Sequence, residues 1–382
     1  MRILQFGFID SLNLGDRLIA EEIETQFLDG HQVQKISYDG RMQEMIDLKD
    51  VEKIELSTLN KNKFTRKIHS FFKSKPNKKL VKKLIENTDI IVFSGGNLLF
   101  DLNKKSKSYK RIDWIIDIAE KNRKPILALS VGVGPFKTLR QQQKAVNQLI
   151  RCNYVSVRDD KSSSYFHNKK IYINQDPVFL SEKFEFEEKN KKYQEKQIIG
   201  LSVLDYRLAG ATETEYQQYL LDLSEIVRGL VESNRSVILY STEVRDYGAV
   251  SDLSVLLENQ SDVKSTFIHS LEETVKLYNQ LDLIIGTRMH SMIFGFASSI
   301  PLIGISWQDK VKEMFELIEQ PHDCVSIVKL SSKKDEIINY AEKKLNNISE
   351  EKKHMKKIFE QFEWNRNEEL ERLKELLDSS EK

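Results

Sequence analysis

Short runs of β-branched and other apolar residues recur along this chain, each followed by a stretch whose apolar positions repeat at helical spacing. Arg2–Ile9, Gln32–Tyr38, Asp89–Phe93, Pro125–Val131, Tyr154–Val157 and Ile171–Asn174 read as strands of a first half. Gln197–Leu204, Ser236–Tyr240, Ser265–His269, Asp282–Gly286 and Pro301–Ile305 read as strands of a second. Strands that are apolar along their whole length and alternate with helices predict an α/β fold, with parallel sheets covered on both faces. Ser181–Lys196, dense in Glu, Lys and Asn, reads as a linker region, so domains are expected at 1–183 and 197–330. Residues 331–382 are strongly charged and helical in pattern and are expected as a C-terminal helical extension. There Asn347 and Glu350 resemble a capping box, and apolar positions continue at Met355, Phe359, Phe362, Leu370, Leu373 and Leu377.

Length agrees with two domains, since 382 residues exceed what one hydrophobic core usually serves. The balance of 40% hydrophobic to 31% charged residues is that of a folded, soluble chain. Lys and Arg number 59 against 58 Asp and Glu, which excludes a general nucleic-acid binder. Two cysteines, Cys152 and Cys324, are too few for a disulfide framework or a zinc site and read as core residues. The opening apolar stretch Ile3–Ile9 lacks the flanks of a secretory signal. Leu283–Ser306 is apolar enough to suggest a membrane span, but Arg288, His290 and Pro301 inside it favour a buried strand, loop and helix. The expected location is cytoplasmic.

The charge is unevenly placed. Lys61–Lys83 carries ten basic residues and no acid, which leaves about −9 for the rest of the chain. Phe64, Ile68, Phe71 and Phe72 interleave with the cations. This element is open to three readings: a solvated face, a peripheral contact with anionic membrane or a lipid-linked phosphate, and RNA.

In open α/β sheets ligands bind beyond the carboxyl ends of the strands, so each strand exit is a place to look. The first strand runs into Asn13-Leu14-Gly15-Asp16, where Asp16 is either a helix N-cap or a group facing a sugar hydroxyl. Ser94-Gly95-Gly96-Asn97 and Gly132-Val133-Gly134-Pro135 permit either tight turns or close approach of backbone amides to a ligand. Arg158 closes a further strand and is open to a ligand contact or a structural ion pair. Arg288 and His290 sit between a buried strand and the apolar helix that follows. They call for either a structural partner or an anion, with a histidine able to change charge near neutral pH. Ser306-Trp307-Gln308-Asp309-Lys310 places another cation beside them. The remaining histidines show no metal-ligand spacing, and no metal is expected.

Asn13-x-Gly15-Asp16, Ser94-Gly95-Gly96, Gly132-x-Gly134-Pro135, Val155–Asp159, Asp176-Pro177 and Arg288-x-His290 followed by Lys310 occur in this order. Together they resemble the polysaccharide pyruvyl transferase family, over residues 1 to about 315. The resemblance implies two Rossmann-like domains in the B-type glycosyltransferase (GT-B) architecture, with the acceptor held by the first and the donor by the second. It implies transfer of the enolpyruvyl group of phosphoenolpyruvate onto two hydroxyls of one sugar in a cell-surface or exopolysaccharide precursor. The products would be a pyruvate ketal and phosphate. His290 and Arg288 fall on positions expected to be catalytic; Arg158 and Lys310, with Asn13, Gly15, Asp16, Gly95, Gly96, Asn97, Gly132 and Gly134, on positions expected to bind substrates. No cofactor is implied.

The chain departs from the family pattern at Asn97 and at Trp307–Lys310, which bears on acceptor identity more than on donor chemistry. The basic stretch at 61–83 favours a lipid-linked acceptor at the inner face of a membrane. Two rival functions remain from the sequence: a nucleotide-sugar-dependent GT-B glycosyltransferase, and a non-catalytic subunit of a polysaccharide assembly complex. The apolar helix Ser291–Ser298 has no acid to hold a ribose, which counts against the first.

Overall fold

The apolar runs form two separate parallel sheets in the computed structural model, which describes residues 1–40, 76–167, 169–184 and 196–380. Most of the basic stretch at 61–83 and of the expected linker lies outside the described residues. The first sheet holds β1 (Arg2–Gly7), β2 (Gln32–Ser37), β3 (Ile90–Ser94), β4 (Asn97–Asp101), β5 (Ile126–Phe136), β6 (Tyr154–Val157) and β7 (Tyr172–Ile173). Its order is β2-β1-β3-β5-β6-β7, with β4 paired to the distal part of β5. The second holds β8 (Ile198–Ser202), β9 (Ser236–Tyr240), β10 (Val263–Ser265), β11 (Leu283–Gly286), β12 (Leu302–Ser306) and β13 (Cys324–Ser326), in the order β10-β9-β8-β11-β12-β13. That is the doubly wound order, and its direction reverses between β8 and β11; in the first sheet the reversal lies between β1 and β3.

The described helices are α1 (Leu14–Phe27), α2 (Lys78–Glu86), α3 (Lys110–Lys121), α4 (Leu139–Leu149), α5 (Asp160–Ser164), α6 (Glu213–Glu232), α7 (Tyr247–Leu256), α8 (Leu271–Tyr278), α9 (Met289–Ala297), α10 (Asp309–Leu317), α11 (Leu330–Asn346) and α12 (Ile348–Ser380). Helix α6 opens with a full capping box: Thr212 accepts from the Glu215 amide and Glu215 reaches back to Thr212. Apart from His290 and Ser291, helix α9 is apolar, and every one of its residues is buried, which is why its sequence imitates part of a membrane span. No helix among the described residues is long and apolar enough to cross a membrane.

Several boundaries differ from the sequence reading for identifiable reasons. Helix α1 begins at Leu14 and is capped by Asn13, whose Oδ1 accepts from the Gly15 and Asp16 amides, so Asp16 is not the N-cap. Strand β5 continues through Gly132–Pro135, expected as a loop, because β4 gives that segment a partner. The run Ser265–His269 leaves the sheet after Ser265; Ile268 is buried instead by packing, and its carbonyl accepts from the Tyr247 hydroxyl. At the C-terminus Asn347 turns its side chain back to the Lys343 carbonyl and does not form a capping box. Cys152 and Cys324 are unpaired and half-buried.

Helix α11 packs on the second sheet, with Arg235 forking onto Glu342. Helix α12 then crosses to the first: His354 meets the Ile318 carbonyl, Gln175 donates to the Phe362 carbonyl at 3.0 Å, and buried Glu369 accepts from Asn174. Phe362 is 2% exposed and sits 5.1 Å from the ring of Phe179 and 5.8 Å from that of Phe296, so one side chain joins elements of both halves. Phe362→Ala is expected to destabilise the fold by about 3–5 kcal/mol, measured by denaturant unfolding. A loss below about 1 kcal/mol would show that this contact is dispensable.

Candidate active site

Both sheet reversals face the same cleft. From the first half come the β1–α1 turn, the Gly95-Gly96 turn after β3 and Arg158 at the end of β6; from the second come Thr242–Asp246 after β9, Arg288 and His290 after β11, and Lys310 after β12. Backbone bonds join the halves at the edge of this cleft. The Leu14 amide donates to Thr242 O at 3.1 Å and the Val244 amide to Leu12 O at 3.4 Å, an antiparallel bridge centred on Asn13 and Glu243.

Two arginines enter the cleft already paired. Arg288 donates through Nε and Nη2 to the two oxygens of Asp246, both at 2.6 Å. Asp246 is fully buried and also accepts from the Asp205 amide and the Ser241 hydroxyl. Burial pushes its carboxyl up against the pull of Arg288, while Arg288 is held charged, above its ordinary range, although burial opposes that charge. Arg158, 5% exposed, donates to Asp176 at 2.8 Å and lies 3.7 Å from Asp159. Burial would push Asp176 up, but His290, Arg158 and the Val178 amide hold it below the usual carboxylate range. The sequence alternatives of ligand contact and ion pair for Arg158 are therefore compatible, since the pair occupies only part of the guanidinium.

His290 lies at the start of α9, 6% exposed. Its Nε2 is buried without a hydrogen bond and faces Asp176 Oδ2 at 3.7 Å. The imidazole rests directly on the backbone of α1: a Cβ at Gly15 would stand 2.1 Å from its Cγ. A Cβ at Gly132 would likewise stand 3.0 Å from Arg158 Nε and from Asn97 Oδ1, so this glycine leaves room for the guanidinium.

Lys310 differs from the arginines. Among the described residues it has no carboxylate partner, only the Trp307 ring at 5.8 Å. Burial and the neighbouring charges of Arg158 and Arg288 push its ammonium down to about 8, opposed by Asp16 and Glu243. Glu243 is buried and forked by Arg245. The cleft narrows at this point to a half-open cavity of about 30 Å³, polar on the side of Arg158, Asp159, Asp176, Lys310 and Glu313 and apolar on the side of Phe179, Met289, Ile293, Met314 and Leu317. A larger cavity of about 630 Å³ beside Tyr154, Tyr172 and Arg372 lies at the amino end of β6, away from the carboxyl ends where such sheets bind ligands.

The structure thus brings together Gly15, Asp16, Asn97, Gly132, Arg158, Arg288, His290 and Lys310. Asn13 spends its side chain on the α1 cap, Gly95 packs against Ile19, and Gly134 packs against Tyr165. Asp246, Glu243 and Glu313 were not picked out from the sequence. The β9 exit, Ser241-Thr242-Glu243, was the available signal for the first two, by the same rule that pointed to Arg288. Among the described residues no group of three or more His, Cys, Asp or Glu side chains is placed to hold a metal ion.

The family model for polysaccharide pyruvyl transferase matches residues 13–309, from the α1 cap to the residue before Lys310. The chain belongs to the polysaccharide pyruvyl transferase family. It is accordingly a transferase, and its cleft is that of a family acting on saccharides. A comparison with curated proteins gives no match. Among solved structures, the HepE protein of Anabaena in complex with UDP-glucose is similar with a TM-score of 0.55 at 12% identity, over 99% of this chain and 100% of that one. A glycosyltransferase of Rickettsia africae gives 0.56 at 16% identity over 98% of each chain. The UDP-GlcNAc 2-epimerase of Neisseria meningitidis bound to UDP-GlcNAc gives 0.52 at 10% identity, over 93% of this chain and 94% of that one. These likenesses are of fold, and they make this pyruvyl transferase family member a GT-B protein.

The Gly15 contact yields a direct test. Alanine at a helix start costs nothing in propensity, but at Gly15 its methyl would displace the imidazole of His290. Gly15→Ala is expected to shift the His290 ring resonances in NMR and to lower turnover by up to about 10²-fold, the effect of roughly 1 Å of misplacement. Unmoved resonances would show that the turn does not position His290.

Proposed function

We propose that the protein moves the enolpyruvyl group of phosphoenolpyruvate onto two hydroxyls of a sugar in a cell-surface or exopolysaccharide precursor, forming a cyclic pyruvate ketal. The observation that carries this reading is Lys310, a cation without a carboxylate partner among the described residues, set against Arg158 and Arg288 beside His290. Like charges crowded in a buried site repel, and an anion bound among them relieves that repulsion. Phosphoenolpyruvate brings a carboxylate and a phosphate, and each charge-assisted hydrogen bond to them contributes about 1.5–3 kcal/mol.

The residues suit the chemistry as follows. Asp246 aims Arg288, and Asp176 aims Arg158 and faces the His290 ring. A protonated His290 gives its proton to the methylene carbon, which makes the central carbon electrophilic. One sugar hydroxyl attacks that carbon, phosphate departs with its charge held by the cations, and the second hydroxyl closes the ketal. Asp16, half-buried at the start of α1 and accepting from Ser11 Oγ at 3.3 Å, would receive a sugar hydroxyl of the acceptor. The basic stretch at 61–83 favours a lipid-linked acceptor at a membrane surface.

Calorimetric titration with phosphoenolpyruvate, and separately with uridine and guanosine diphosphate sugars, tests the donor without knowledge of the acceptor. Phosphoenolpyruvate is expected to bind, and Arg288→Ala to abolish binding. His290→Ala should largely spare binding and abolish turnover. Binding of a nucleotide sugar alone would replace this reading with glycosyl transfer, and binding of neither would favour a scaffold subunit.

A pH series provides a second check. Lys310 is charged below its value of about 8, so donor affinity should fall as pH rises through 8. Lys310→Met should weaken binding by about tenfold or more and remove that fall. An unchanged pH profile in the variant would exclude Lys310 from donor binding.

A further inference from the structure

Glu313 lies one helical turn beyond Lys310 on α10, so both side chains leave the same face of the helix. It lines the small cavity together with Arg158, Asp159, Asp176 and Lys310. Among the described residues its carboxyl has no hydrogen-bond or ion-pair partner, although the side chain is half-buried. The other carboxylates of the cleft are all occupied: Asp176 by Arg158, Asp246 by Arg288 and Glu243 by Arg245. An ionised carboxylate there, on the same wall as the cations Arg158 and Lys310, would repel an anion that those cations attract.

Its surroundings keep it from ionising readily. On its own helix it is near Asp309 and Glu316, with Lys312 already engaged by Glu316 at 3.5 Å. From the facing elements come Asp159, the Tyr165 hydroxyl and Lys161, with Arg158 and Asp176 deeper in the cavity. Burial first, then Asp159 and Asp309, push the Glu313 carboxyl up to about 7, with Lys161 opposing.

We infer that Glu313 is a catalytic acid of this site, which meets the anionic donor in its protonated form and delivers that proton to the departing phosphate. This rests on the proposed pyruvyl transfer, and it supplies the proton that His290 leaves unaccounted for. Ketal formation moves two hydroxyl protons of the acceptor, one to the methylene carbon and one to phosphate. His290 gives the first. Glu313 gives the second as the bond between the central carbon and the phosphate oxygen breaks, with the electron pair leaving on that oxygen. The imidazole and the carboxylate so formed each recover a proton from a sugar hydroxyl as its oxygen bonds to the central carbon. Charge and atoms balance with no further reactant.

The same feature predicts proton uptake on anion binding, which needs no acceptor and no turnover. At pH 7 about half of the Glu313 carboxyls are ionised, and a bound anion drives them to the acid form. Lys310, mostly charged already at that pH, adds only about a tenth of a proton. Titrating the full chain with phosphoenolpyruvate and with inorganic phosphate, in two buffers of different ionisation enthalpy, gives the net protons exchanged per anion; the anion's own ionisation and His290 also contribute, so the Glu313 share is the difference between the native chain and Glu313→Gln. Glu313→Gln, at a half-buried position with no partner to lose among the described residues, should fold normally, bind phosphate, and take up about half a proton less per anion than the native chain. It should also lower kcat more than it changes KM, and delete the part of the affinity fall near pH 7 while leaving the part near pH 8.

Unchanged uptake and kcat in Glu313→Gln would overturn the assignment while leaving pyruvyl transfer intact. Phosphate binding with Glu313-dependent uptake, but no binding of phosphoenolpyruvate, would overturn the donor and the phosphate-leaving step while retaining the anion-linked acid. Binding of neither anion would overturn both.

Discussion

A guanidinium taken out of water must be met by a carboxylate, and Asp246 meets Arg288 from beneath through two 2.6 Å bonds. Removing one member of such a buried pair costs about 3–5 kcal/mol, because the other is left uncompensated. Asp246 is itself fixed by the Asp205 amide and the Ser241 hydroxyl, so three segments after β8, β9 and β11 share one set of bonds. The reversal of strand order between β8 and β11 opens the space that this pair fills. The direction of Arg288 then sets the place of His290 two residues on, and with it the contact with Gly15 across the cleft.

The site divides its cations between two tasks. Arg158 and Arg288 are neutralised in place and so hold their geometry whether or not a ligand is bound. Lys310 carries a charge that its neighbours disfavour. A site of paired cations alone would be stable but would gain little from binding an anion, and a site of unpaired cations alone would repel itself apart. The combination keeps two of the charges compensated and leaves one, on Lys310, without a carboxylate among the described residues.

Much of this could be read from the residues. The strands were legible because they are apolar along their length, and Arg288-x-His290 stood out because polar groups there interrupt a buried strand and helix. What escaped the sequence depends on contacts distant in the chain. Asp246 lies 42 positions before Arg288, and only the sheet order shows that they meet. Asn13, not Asp16, caps α1, a choice of one side chain over another three residues away that composition does not decide. The apolar run before His269 is buried without joining the ladder, so hydrophobicity alone misplaces β10. Glu313 has no sequence signal at all, since a glutamate on a charged helix is ordinarily solvated.

The course of α12 limits how the cleft can work. The chain passes from the first sheet to the second between Phe184 and Ile198, and α12 passes back, ending against Asn174 and Tyr172. The halves are therefore tied twice along the chain, and any movement of one against the other has to carry the buried contacts of Phe362 with Phe179 and Phe296. The Asn13–Glu243 bridge adds two backbone bonds between the halves at the edge of the cleft. Parting the halves at that edge would break both bonds, a cost set by the backbone alone and independent of any side chain in the cleft.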